Sequence, residues 1–88
     1  MSRGEEAGFS HIANGFVPDE KTAVNVAVAI LIPIYGKEAI DREKPFTATL
    51  TNETWIVYGT LAHSRFGGVA KVTLAKKDCR IINVTHGK

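Results

Sequence analysis

Residues 18–36 read PDEKTAVNVAVAILIPIYG, and this stretch decides the fold class. Its first three residues, Pro-Asp-Glu, are types favoured in the first turn of a helix, and Gly36 suits a helix end. We therefore predict a helix from about Asp19 to Tyr35. Pro33 lacks a backbone N–H, so the last turn is expected to kink or to re-form as a separate short turn. Lys37 to Ile40 then begin a second, very short helix.

A buried strand is the competing interpretation of the same stretch, because β-branched residues alternate at Val24, Val26, Val28, Ile30 and Ile32. Its length, its helix-start residues and its three alanines favour the helix, since strands usually contain about five or six residues.

Beyond the charged segment DREK (residues 41–44), the apolar period changes to two. Residues 46–51, FTATLT, alternate apolar residues with threonine, which is typical of a half-buried antiparallel strand. Asn52-Glu53 and Lys76-Lys77-Asp78 are predicted turns, and the remaining strands are predicted at Thr54–Leu61, Val69–Ala75 and Arg80–Thr85. The chain is thus expected to be an α+β domain, with one N-terminal helix packed on a four-stranded antiparallel meander sheet.

The predicted helix and the predicted sheet each show more apolar surface than a contact between them would cover. The helix has two stripes, the first formed by Ala23, Val26, Ala27, Ile30 and Ile34 and the second by Val24, Val28 and Ile32. The second stripe is either covered by Phe9, Ile12 and Phe16 of the N-terminal arm or contacted by another chain. The sheet face toward the helix is expected to hold Phe46, Ala48, Leu50, Ala70, Val72, Leu74, Ile82 and Val84.

The opposite sheet face is expected to be polar, with an aromatic residue from the second strand. Strand alternation places Trp55 and Val57 on one face of that strand and Ile56 and Tyr58 on the other. The polar members are Thr47, Thr49, Lys71, Thr73, Asn83 and Thr85. Such a surface is either an ordinary solvated face or a recognition surface with an aromatic anchor.

Composition restricts the classes of function. With 88 residues the chain forms one domain, and its 44% hydrophobic and 23% charged residues are typical of a folded protein. The net charge of +2 comes from interleaved signs, so no basic stripe indicates a nucleic-acid partner. Cys79 is the single cysteine, which excludes an internal disulfide. Neither a signal-peptide core nor a membrane span is present, so we expect the cytoplasm, or the periplasm if a signal was removed.

Catalytic, cofactor and metal motifs are not found. His11, His63 and His86 lie far apart and lack a ligand spacing, and the carboxylates of Asp41 to Glu43 are explained by solvation in a linker. We therefore predict no catalytic residue, no cofactor and no metal, and a protein that is not an enzyme.

Several segments together carry a resemblance to a known family. They are the helix end IPIYG, the strand entry Lys44-Pro45-Phe46, the strand Trp55-Ile56-Val57 with Gly59, and the terminal Thr85-His86-Gly87-Lys88, together with Gly67-Gly68-Val69-Ala70. With these segments the chain resembles the NTF2-fold immunity proteins of bacterial polymorphic-toxin systems, and the resemblance covers Gly15 to Lys88. It implies a reduced cystatin/NTF2-like domain at residues 16–88, preceded by an arm at residues 1–15.

What the resemblance implies for function is direct binding to a toxin encoded beside the immunity protein, with no catalytic motif to carry over. Aromatic and arginine side chains dominate binding at interfaces, so we predict a partner-binding set on the outer sheet face and the Ala62 to Gly68 loop. Its members are Tyr58, His63, Arg65, Phe66 and Lys71, while Trp55 is expected to lie mainly in the core. The alternatives are a small-ligand-binding or enzymatic NTF2-like domain, and a structural homodimer.

Overall fold

The computed structural model describes residues 14–61 and 68–87. In this part of the chain the helices are α1 (Glu20–Tyr35) and α2 (Lys37–Asp41), and the strands are β1 (Thr47–Thr51), β2 (Thr54–Tyr58), β3 (Ala70–Ala75) and β4 (Ile81–His86). The strands pair antiparallel in the order β1-β2-β3-β4. The prediction of a helix followed by an antiparallel meander is confirmed.

The helix α1 begins and ends where its local sequence indicates. The carboxylate of Asp19 accepts a hydrogen bond from the N–H of Thr22 at 2.8 Å, which satisfies one of the unpaired donors of the first turn. Gly36 follows the last turn with a φ of 97°, which glycine adopts without steric cost. The helix continues through Pro33 to Tyr35, so the separate turn that the sequence allowed does not form.

Tight turns join the strands. Thr51 and Thr54 are paired across a two-residue turn in which Asn52 and Glu53 have φ values of 48° and 61°. Positive φ at both central positions gives a turn whose twist matches that of the flanking strands. At the other hairpin the ladder shifts, because Thr73 pairs with Asn83 whereas Leu74 pairs with Ile81. This bulge leaves Ile82 as an extra residue.

A core of small and branched side chains joins α1 to the sheet. Ala23, Ala27 and Leu31 are buried along the helix, where the two alanines allow close approach to the strands. The helix packs mainly on β1, β2 and β3. The buried sheet residues are Phe46, Ala48, Trp55, Val57, Ala70, Val72 and Leu74, and Val17 and Ile40 complete the core.

Three residues expected in the core are exposed instead. Leu50 (43% exposed) lies beside the turn at the end of an edge strand, and Ile82 (48%) is the extra residue of the bulge. Ile34 (54%) is exposed because the buried helix face is centred nearer Leu31 than the predicted first stripe. The second stripe, Val24, Val28 and Ile32, accordingly packs against the core and is not surplus.

The strand β2 is shorter than predicted, ending at Tyr58 and not at Leu61. Beyond Gly59 the backbone leaves the sheet, since the N–H of Thr60 donates to the carbonyl of Glu43 at 2.7 Å. The hydroxyl of Thr60 also donates to the carbonyl of Pro45 at 2.7 Å. The end of β2 is therefore held by the connection between α2 and β1.

Candidate partner-binding face

The outer face of the sheet, opposite α1, brings together two of the predicted partner-binding residues. Tyr58 and Lys71 are direct cross-strand partners on β2 and β3. Thr47 pairs with Tyr58 on one side, and Thr85 pairs with Lys71 on the other. These four side chains form a row across all four strands, which we call the Tyr58 row. Tyr58 is 37% exposed, and the other three are exposed as well.

A second row lies beside the Tyr58 row and is less exposed at its centre. Ile56 and Thr73 are half-buried partners, flanked by the exposed Thr49 and Asn83. Alternation along the strands places these residues on the same face as Tyr58. The outer face thus has the half-buried Ile56 near its centre, surrounded by hydroxyl, amide and ammonium groups.

The remaining predicted site residues, His63, Arg65 and Phe66, lie outside the described residues. The segment 62–67 that contains them connects Leu61 to Gly68, each of which is three residues from a member of the Tyr58 row. Leu61 is itself 44% exposed. The connection therefore starts and finishes at the end of the sheet where Tyr58 and Lys71 lie.

The core placement of Trp55 agrees with its expected role. Its side chain is 6% exposed, and its indole N–H donates to the carbonyl of Val17 at 2.8 Å. The backbone around Val17 is in turn hydrogen-bonded to the β3–β4 turn. The N–H of Phe16 donates to the carbonyl of Lys77 at 3.0 Å, and the N–H of Val17 donates to the carbonyl of Lys76 at 3.1 Å. Trp55 is buried beneath the sheet and is not part of the outer face.

The sequence interpretation missed a buried carboxylate at the end of the domain opposite Trp55. Glu43, expected to be solvated in a linker, is 7% exposed. One carboxylate oxygen accepts the N–H of Ala70 at 2.7 Å, and the other lies 2.7 Å from the Nε2 of His86. The ring of His86 also contacts that of Tyr35, with centroids 5.1 Å apart. We call Glu43, Ala70 and His86 the Glu43 clasp.

The Glu43 clasp occupies a gap in the sheet ladder. The N–H of Gly59 donates to the carbonyl of Ala70 at 3.1 Å, so the returning bond of this antiparallel pair would come from Ala70 to Gly59. The N–H of Ala70 donates to Glu43 instead. A Cβ atom on Gly59 would lie only 2.6 Å from the carboxylate of Glu43, so the close approach requires glycine.

The exposed Asp19 and the half-buried Asp41 have carboxyl pKa values below their usual range. The hydrogen bonds from Thr22 lower the pKa of Asp19, and the bonds from Lys37 and Lys44 lower the pKa of Asp41. Both groups cap or brace the helices and lie away from the outer face. Among the described residues, no three His, Cys, Asp or Glu side chains are placed to bind a metal ion. In the same ranges, no helix has the length and apolar character to cross a bilayer.

A helix on one face of a four-stranded antiparallel meander, with an exposed polar and aromatic face on the other, is an α+β domain of the NTF2-like fold. The chain belongs to the NTF2 fold immunity protein family, whose model matches residues 22–88. It is similar to the uncharacterized protein YhhH of Escherichia coli K12, with 31% identity over 89 aligned positions that cover 100% of this chain and 70% of YhhH.

A second relative in the same organism is the uncharacterized protein YbbC. The identity is 30% over 73 aligned positions, which cover 82% of this chain and 60% of YbbC. The chain therefore spans between 60% and 70% of the lengths of these two relatives. No solved structure gives a significant match.

Proposed function

We propose that this chain is an immunity protein that binds a cognate bacterial toxin and neutralises it by covering the toxin's active site. The observation that carries the proposal, beside family membership, is the Tyr58 row on an outer sheet face that α1 does not contact. A non-catalytic protein of this size needs an exposed and well-defined surface to act on a partner, and the outer face is such a surface.

The chemistry of the outer face supports protein recognition. Tyr58 presents an aromatic ring and a hydroxyl with few rotatable bonds, so its contacts cost little conformational entropy. Lys71 beside it supplies a positive charge, and Ile56 supplies apolar area in the adjacent row. We include Arg65 and Phe66 in the proposed interface, because their segment connects to this end of the sheet.

The Glu43 clasp supports a structural role for the histidine and carboxylate pair over a catalytic one. Both oxygens of Glu43 have partners inside the domain, and the Nδ1 of His86 lies 3.0 Å from the carbonyl of Gly87. A general base must be within reach of a substrate proton, whereas these groups are directed at one another.

The experiment is co-expression with the protein encoded by the neighbouring gene, followed by purification and a growth assay. We expect a stable one-to-one complex and suppression of the growth defect that the neighbouring gene product causes alone. A melting shift produced by a small molecule, with no protein partner bound, would contradict the proposal and favour a ligand-binding domain.

Once the complex has been purified, substitutions locate the interface. Tyr58→Ala and Phe66→Ala are each expected to weaken binding by roughly 30-fold, the equivalent of about 2 kcal/mol at an interface centre, without lowering the melting temperature. Lys71→Ala should weaken binding less. Lys21→Ala is the matched control, since it removes the same charge from an exposed position on α1. Unchanged affinity in Tyr58→Ala and Phe66→Ala would place the interface elsewhere.

A further inference from the structure

The strand β4 is an edge strand whose outward backbone groups can be identified from the register. The N–H of Gly87 donates to the carbonyl of Val69 at 3.2 Å. Antiparallel ladders alternate between hydrogen-bonded and non-hydrogen-bonded pairs, so Val84 and His86 belong to non-hydrogen-bonded pairs with β3. Their N–H and C=O groups therefore point away from the sheet. Within the described residues, β4 is the last strand on this side.

The opposite edge of the sheet is better protected. By the same alternation, Ala48 and Leu50 direct their backbone groups away from β2. The N–H of Ala48 lies 3.5 Å from the carboxylate of Glu20 at the start of α1, and the helix packs over this side of the sheet. An added strand at β1 would have to displace the carboxylate of Glu20.

The β4 edge also exposes apolar side chains. Ile81 is 36% exposed and Ile82 is 48% exposed. At these two neighbouring residues the bulge interrupts the regular alternation of side chains between the two sheet faces. Their apolar side chains are therefore exposed beside the outward-pointing backbone groups of β4. Exposed edges with apolar side chains readily accept another strand unless charges or covering elements prevent it.

The charge distribution indicates what kind of strand the edge accepts. Residues 68–87 contain four basic residues against the single acidic Asp78, whose carboxylate accepts the N–H of Arg80 at 3.0 Å. The basic residues are Lys71, Lys76, Lys77 and Arg80. Residues 14–61 contain four basic and six acidic residues, the acidic ones being Asp19, Glu20, Glu38, Asp41, Glu43 and Glu53. Positive charge is therefore concentrated on the β3–β4 hairpin, where the interleaving of signs described for the whole chain does not hold.

We propose that the outward edge of β4 binds an acidic, extended segment of the cognate toxin, which adds to the sheet as a fifth strand. This inference rests on the proposed function and names the chemistry of the partner. Backbone hydrogen bonds to Val84 and His86 supply affinity, and Lys77 and Arg80 select a segment that carries Asp and Glu. Thr85 of β4 is a member of the Tyr58 row, so the β4 edge and the Tyr58 row form one continuous contact.

The test measures amide hydrogen exchange and affinity with the protein encoded by the neighbouring gene as the probe. In the complex, exchange at the N–H groups of Val84 and His86 is expected to slow by at least about tenfold. The double variant Lys77→Glu/Arg80→Glu should weaken binding by roughly tenfold or more and reduce its dependence on salt. Lys21→Glu/Arg42→Glu is the control, because it makes the same charge change at exposed positions of the helical side.

Distinct outcomes overturn the inference. A complex that neutralises the toxin while the Val84 and His86 amides exchange as fast as before, and while both double variants bind equally, would refute the β4 site and leave the proposed function standing. Protection in the isolated chain that rises with concentration would assign the edge to a second copy. Protection in the isolated chain that Phe9→Asp/Ile12→Asp removes would assign it to the N-terminal arm. Absence of any complex would remove the proposed function as well.

Discussion

The two ends of the helix–sheet sandwich are closed by different chemistry. At one end the large apolar side chain of Trp55 fills the space, and one neutral hydrogen bond joins it to Val17. At the other end the carboxylate of Glu43 bridges the start of β3 and the end of β4. Burial of a large ring is favourable in itself, whereas a buried carboxylate is tolerated only when its oxygens are satisfied. We therefore expect the two ends to respond differently to substitution.

The largest effect is expected at the Trp55 end. Trp55→Ala should lower the free energy of unfolding by about 3 to 5 kcal/mol, because it removes a buried ring and leaves a cavity. This is a large fraction of the stability of so small a domain. Trp55→Phe is the control, since it keeps most of the aromatic volume while it removes the bond to Val17 and part of the ring, at a cost nearer 1 kcal/mol for the bond alone. Urea unfolding measures both variants, and equal losses would mean that the hydrogen bond dominates.

The Glu43 clasp should give the next largest effect. Glu43→Ala leaves the N–H of Ala70 and the ring of His86 without their partner, and we expect a loss of roughly 1 to 3 kcal/mol. Glu43→Gln should lose less, because its amide oxygen still accepts the N–H of Ala70. A double-mutant cycle with His86→Ala measures the coupling between the two side chains. Additive losses would show that the pair contributes no interaction energy.

Gly59→Ala acts on the Glu43 clasp without changing any charge. The added Cβ would lie 2.6 Å from the Glu43 carboxylate and 2.8 Å from the Cβ of Glu43. We expect a loss of about 1 to 3 kcal/mol from the resulting displacement. The same substitution should cost less in a Glu43→Ala background, where the carboxylate is absent. Chemical denaturation measures the cost in both backgrounds, and an equal cost would place the strain at the Cβ of residue 43, which Glu43→Ala keeps, or elsewhere in β2.

The smallest effect is expected at the start of α1. Asp19→Ala removes the cap on Thr22 and should lower the melting temperature less than Glu43→Ala does. Because the folded-state pKa of Asp19 is lowered from 3.8, its stabilising effect is present above that value and is lost as pH falls through the lower folded-state value. Asp19→Asn keeps a capping oxygen and should remove this acid dependence. Melting curves between neutral and strongly acidic pH measure it.

Local sequence patterns predicted the helix and the strands but not the long-range contacts between them. The helix and all four strands follow from capping residues and from period-two alternation, which depend on neighbours in sequence. The Glu43 clasp depends on partners 27 and 43 residues away, and nothing adjacent to Glu43 marks it as buried. The bulge at Ile82 was missed for a similar reason, since Ile81 and Ile82 are both good strand residues and only the pairing with Leu74 distinguishes them.

The candidate site was likewise predicted only in part from the sequence. Alternation placed Tyr58 and Lys71 on the same face, but only the register shows that they are direct neighbours. The uneven charge of the β3–β4 hairpin is present in the sequence, yet it has no meaning until β4 is known to be an edge. The contributions of His63, Arg65 and Phe66 remain predictions.

The two-residue turn at Asn52 and Glu53 has a consequence for the order of folding. It joins β1 to β2 with the shortest connection in the sheet, so this hairpin closes a small loop and loses little chain entropy. The Glu43–His86 contact instead spans 43 residues of sequence. We expect the transition state for folding to contain the β1–β2 hairpin and to lack the Glu43 contact. Substitutions at Glu43 should then accelerate unfolding and leave the folding rate almost unchanged, whereas substitutions in the turn should slow folding.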